Sequence, residues 1–119
     1  MFDLKEFMDR IKTEVTDPIL EYMTEAEIDD FTAEDVARCG ELLEEYLTAL
    51  AELEEPENEA IMAAVEQVVL ALNQLNEELD YALIETVERE SIAALIQDAA
   101  VDAGLQEVPE DVTEEWREW

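Results

Sequence analysis

The sequence predicts an all-α fold: a four-helix-bundle-like domain with an N-terminal helical arm and a short C-terminal tail. Three observations carry that expectation. Apolar residues recur at three- and four-residue spacing along almost the whole chain, and no strand alternation competes with them. Breakers are scarce, with two glycines and three prolines in 119 residues. Hydrophobic residues make up 49% of the composition beside 34% charged, so the chain has the apolar surface to fold where charged, apolar-poor chains stay disordered. Its length suits one domain, which at this size buries roughly two-thirds of the surface its unfolded chain exposes. Residues 1–107 read as that domain and residues 108–119 as an acidic, tryptophan-containing tail.

Each element follows from its pattern. Leu4, Phe7, Met8, Ile11 and Val15 mark the apolar face of the first helix. Asp17-Pro18 is expected to interrupt it, with Pro18 opening a short second piece that reaches Met23. The stretch from Glu25 to Phe31 is polar and anchored by Ile28 and Phe31. Thr32 reads as an N-cap, with Glu34 and Asp35 in the first turn where the helix dipole favours acids. From there Val36, Cys39, Leu43, Tyr46, Leu47, Leu50 and Leu53 share one face, and Pro56 sets the end near Glu55. A third helix spans about Glu57 to Leu79 and is apolar on several sides, as the most deeply buried element should be. The fourth starts after Thr86, carries Ile92, Leu95, Ile96, Ala99 and Ala103, and stops at Gly104.

Charge is the outstanding property of the composition. The chain has 35 acidic residues against 6 basic ones, a formal charge of −29. No lysine or arginine lies between Arg38 and Arg89, where fourteen acids do. Such a charge opposes compaction by self-repulsion and steers cationic partners. It also disfavours direct contact with phosphate backbones and anionic lipid. No apolar run approaches the roughly 20 residues of a membrane span, and the charged stretch Met1 to Val15 does not read as a signal peptide. The lone Cys39 cannot form an internal disulfide. A cytoplasmic, bacterial-type protein is expected.

Catalytic chemistry finds little support. There is no histidine, the commonest general base and zinc ligand. Cys39 has no base and sits on an apolar face, where a cysteine is a small core residue. No cofactor is expected. Glu52-x-x-Glu55 and Glu77-x-x-Asp80 resemble the paired-acid pattern of all-α nucleotide pyrophosphohydrolases. That resemblance implies magnesium held by Glu52, Glu55, Glu77 and Asp80. The alternative is solvated helix faces, favoured because glutamate is so abundant that such pairs arise freely. Arg89, alone in an acidic region, is expected to pair with Glu85 four residues before it.

The favoured candidate site is the acidic face of the second long helix. Glu34, Glu41, Glu45, Glu52 and Glu55 fall along one stripe opposite Leu43, Leu47 and Leu50, with Glu44 beside it. Carboxylates one turn apart stand about 5–6 Å from each other. A row of them on a stiff rod suits a groove shaped for a nucleic-acid backbone. Trp116 and Trp119 are a second candidate contact, since tryptophan anchors interfaces; the alternative is that both fold back onto the bundle. Glutamate outnumbers aspartate by 25 to 10, which tells against a halophilic origin of the acidity.

Leu72-Asn73-Gln74-Leu75-Asn76, Leu83-Ile84-Glu85-Thr86, Arg89-Glu90, Ala99-Ala100 and Ala103-Gly104 resemble small uncharacterised bacterial acidic helical proteins. The resemblance covers roughly residues 70–105 and implies a helical fold and bacterial origin, with no activity attached. Asn73 and Asn76 are expected to fix the connection between the third and fourth helices, because buried amides must find partners. The function expected from the whole is non-enzymatic: an acidic module that docks on a basic protein such as a toxin, nuclease or DNA-binding factor, as an immunity protein, inhibitor or nucleic-acid mimic does. The alternatives are a magnesium-dependent hydrolase and a small structural protein with a solvated acidic surface.

Overall fold

The fold is that of a computed structural model whose described residues are 2–27, 31–53, 57–84, 86–106 and 111–119. The first helix, α1, is a single rod made of Leu4–Arg10, Ile11–Thr16 and Asp17–Glu25. Asp3 caps it, its carboxylate accepting the Glu6 N–H at 3.1 Å. The break expected at Asp17-Pro18 does not occur. A proline ring clashes with the carbonyl four residues back and offers no N–H. Here the turn before Pro18 widens to a π-helix over Ile11–Thr16, and the Asp17 N–H donates to the Lys12 carbonyl. Widening loosens the backbone where the ring enters, so the rod continues.

The second helix, α2, spans Ala33–Ala51. Thr32 closes a capping box with Asp35: the Asp35 N–H donates to Thr32 Oγ1 at 3.3 Å, and the Thr32 N–H to Asp35 Oδ2 at 2.9 Å. Such caps are worth about 1 kcal/mol. The helix ends at Ala51, earlier than expected, with Glu52 as its C-cap and the Leu53 N–H turning back to the Leu50 carbonyl. Next come α3, Asn58–Glu78, and α4, Thr86–Asp102. After α4 the chain reverses at Gly104, whose φ of 118° suits a residue without Cβ, and the Leu105 N–H reaches the Ala100 carbonyl. Between α3 and α4 Asp80 and Tyr81 both take positive φ, and buried Asn76 accepts the Ile84 N–H at 3.0 Å.

The four helices run up and down in turn. Arg38 near the start of α2 pairs with Glu78 at the end of α3, and Arg10 near the start of α1 pairs with Asp98 near the end of α4. The N-terminal helical arm thus forms a wall of the bundle, packed against α2 and α4. Leu43, Leu47, Ile61, Leu72, Leu95 and Ile96 are fully buried at its centre, each such side chain contributing about 1.5–3 kcal/mol of transfer free energy. Tyr46 donates its buried hydroxyl to the Ile96 carbonyl at 2.8 Å, joining α2 to α4. At Gly40 a Cβ would stand 3.1 Å from the Thr16 methyl, so the absence of a side chain lets α1 approach α2 closely.

The tail is part of the packed structure. Val112 and Thr113 are buried, and Trp116 and Trp119 are half-buried against the core. Asn73 of α3 holds this segment from both ends of its amide, donating to the Trp116 carbonyl at 2.7 Å and accepting the Glu118 N–H at 3.0 Å.

Candidate docking surface

Helical period sets the face on which each acid of α2 stands. Glu34, Glu41, Glu45 and Glu52 recur at seven- and four-residue intervals, so they share one line along the rod. All four are exposed, as is Glu44 beside them. The structure therefore brings these five carboxylates onto a single face. Glu55, expected to extend the line, lies outside the described residues.

Among the described residues none of the five makes an ion pair, although Arg38 stands on the same face one turn from Glu34 and Glu41, and Lys12 shares a hollow with Glu41 and Glu44. Arg10 is held by Glu14 and Asp98, Arg38 by Asp35 and Glu78, and Arg117 by Asp111. Glu85, the expected partner of Arg89, is outside the described residues.

The row of acids is a crest with a hollow on each flank. Between α1 and α2 lies a hollow of about 420 Å³ lined by Met8, Ile11, Lys12, Thr16, Asp17, Leu20, Ala33, Val36, Ala37, Gly40, Glu41 and Glu44. It runs past Met8 into a second hollow of about 420 Å³ over Thr48, Ala49 and Glu52, which shares Glu41 and Glu44. On the other flank a smaller one of about 230 Å³ separates α2 from α3 beside Arg38, Glu45 and Gln74. Met8, Lys12, Ala37 and Gly40 were not predicted as site residues. The signal that could have pointed to them is Gly40 itself, a glycine inside a helical pattern that costs about 1 kcal/mol against alanine and marks close approach.

The other candidates lie elsewhere. The hydrogen bonds of the tail go to Asn73 on α3 and, at 3.4 Å, Gln97 on α4, so Trp116 and Trp119 do not join the acidic face. Arg117 stacks over the Trp119 ring at 5.5 Å. Asp111 sits under competing influences. Burial would raise its pKa, but the hydroxyl and N–H of Thr113 and the charge of Arg117 outweigh it and hold the carboxyl below its ordinary value.

The paired acids of the hydrolase pattern are not brought together. Glu52 caps the end of α2, whereas Glu77 closes α3 and Asp80 follows it. The two helices are antiparallel, so about 20 residues of α3, on the order of 30 Å, separate Glu52 from Glu77 and Asp80; Glu55 lies outside the described residues. Among the described residues no three acidic or cysteine side chains are grouped to hold a metal ion. Burial pushes the Cys39 thiol up to about 12, leaving it protonated and unreactive. Among the described residues no helix is long and apolar enough to cross a membrane. Set against known families, curated proteins and solved structures, the chain matches none of them.

Proposed function

We propose that this protein is a non-enzymatic binding module that docks on a basic protein through the carboxylate crest of α2, in the manner of an immunity protein, an inhibitor or a nucleic-acid mimic. The observation that carries the reading is the exposed row Glu34, Glu41, Glu45 and Glu52 with Glu44 beside it, which makes no ion pair among the described residues, on a capped helix in a chain of charge −29. Fixed anionic rows attract cationic surfaces over distances set by screening and raise association rates. The reading locates the encounter in the cytoplasm, where nucleases and DNA-binding factors work.

The test is a binding panel of purified cationic proteins: nucleases, DNA-binding factors and a basic protein with no nucleic-acid site as control. The expected result is selective capture of one member, displaced by duplex DNA. Reversing Glu41, Glu45 and Glu52 to Lys should then slow association about tenfold or more at low salt. Equal rates for the parent and the reversed protein at low salt would remove the crest from the function, and equal binding to every cationic protein would remove specificity.

A further inference from the structure

We infer that the surface beside the crest is a groove for one amphipathic, cationic α-helix of the partner; the inference rests on the docking reading above and names what the partner brings. A flat acidic face would suit any polycation. This face carries two shallow, open hollows beside the acids. The two adjoining hollows share Met8, Glu41 and Glu44 and together follow α2 from Ala33 to Glu52. That is about 20 residues, or roughly 30 Å of helix. A partner helix of about five turns has that length.

The lining sorts by chemistry. In the first hollow the floor is largely apolar, with Ala33, Ala37 and Gly40 on one side and Met8 and Leu20 on the other; in the second it continues as Met8, Ala49 and Thr48. Small side chains on α2 leave room, and the α1 residues offer flexible apolar surface, methionine being the most adaptable. The rim is acidic, with Asp17 at one end, Glu41 and Glu44 where the two hollows meet, and Glu45 and Glu52 at the other end. Lys12 is the one cation among these lining residues. An apolar floor under a carboxylate rim matches a helix with an apolar stripe flanked by Lys or Arg. A second copy of the chain is the wrong occupant, because two bodies of charge −29 repel.

The experiment uses three synthetic probes of about 18 residues: a Leu/Lys peptide patterned as an amphipathic helix, its scrambled isomer, and oligolysine. Isothermal titration at low salt compares them on the full chain. The expected result is that the patterned peptide binds about tenfold or more tightly than the other two. Ala37→Trp fills the floor without changing charge and should weaken the patterned peptide about tenfold while leaving oligolysine unaffected. Glu41→Lys with Glu45→Lys should weaken all three. Where Ala37→Trp does not melt as the parent does, Ala33→Trp one turn away carries the same comparison. Equal affinities for the three probes, or indifference of the patterned peptide to the filled floor, would overturn the groove and leave the charge reading standing. No binding by any probe would overturn both. Sedimentation showing a dimer abolished by Ala37→Trp would also overturn it, by assigning the groove to a second copy.

Discussion

Asn73 and Asn76 are one residue type, three positions apart on α3, and they hold different parts of the molecule. Asn76 fixes the turn that follows its own helix, accepting the Ile84 N–H. That role is local in sequence, so it could be expected from a buried amide just before a loop. Asn73 reaches across 43 and 45 positions to the Trp116 carbonyl and the Glu118 N–H. Nothing in the sequence near Asn73 specifies that pairing, which appears only once the tail has folded back. Asn73→Ala would leave both tail groups without their partner, at a cost of about 1–3 kcal/mol in tail docking. Because Trp116 and Trp119 are the only tryptophans, fluorescence excited on the red edge, where tyrosine does not absorb, reports the tail alone. The expected outcome for Asn73→Ala is a red-shifted emission with unchanged helical circular dichroism. Emission like that of the parent would show that the two hydrogen bonds do not hold the tail.

Among the elements, α2, α3 and α4 were legible from their apolar periods, helped by the capping box that opens α2 and the glycine that follows α4. The crest was legible for the same reason, since a helix period places its residues without any knowledge of neighbours. The groove was not, because it exists only where α1 packs against α2, and the period of one helix does not specify its partner. The continuity of α1 was missed for a local reason: Pro18 reads as a break, whereas a π-turn absorbs its ring. The tail brings a pH dependence of its own. Its Asp111 carboxyl, held below the ordinary value of 3.8, favours the docked state wherever it is ionised. The sign follows from linkage: a lowered folded pKa means stability fully present above the unfolded value and lost as pH falls through the folded one. Acid should therefore release the tail below about pH 3.8, while protonation elsewhere relieves repulsion within the bundle. The expected signature is a red shift of tryptophan emission in that range with helical signal retained, and Asp111→Asn should show the shifted emission already at neutral pH. A variant with parental emission and parental pH response would remove Asp111 from the clamp.

At the scale of the whole molecule the charge is arranged against stability. Helix C-termini favour cations, yet α2 has Glu52 as its C-cap and α3 ends at Glu77 and Glu78, and neither has a basic residue in its last turn. Glu41 and Glu45, one turn apart on α2, repel by a few tenths of a kcal/mol. A surface shaped by stability alone would relax these contacts, so the reading that the crest serves binding makes a paired prediction. Three Glu→Lys reversals at positions 41, 45 and 52 make the chain six units less negative than −29. In dilute buffer the reversed protein should melt higher than the parent, by about 3–6 °C for each kcal/mol of repulsion relieved. The gap should narrow once salt reaches about 0.15 M and the Debye length falls to about 8 Å. The same protein should lose the fast, salt-sensitive association with its basic partner. Calorimetric melting and stopped-flow association on one pair of samples check both halves. A reversed protein that melts lower than the parent at low salt would show that the carboxylates of the crest support the fold, and the argument that they are kept for binding would lose its ground.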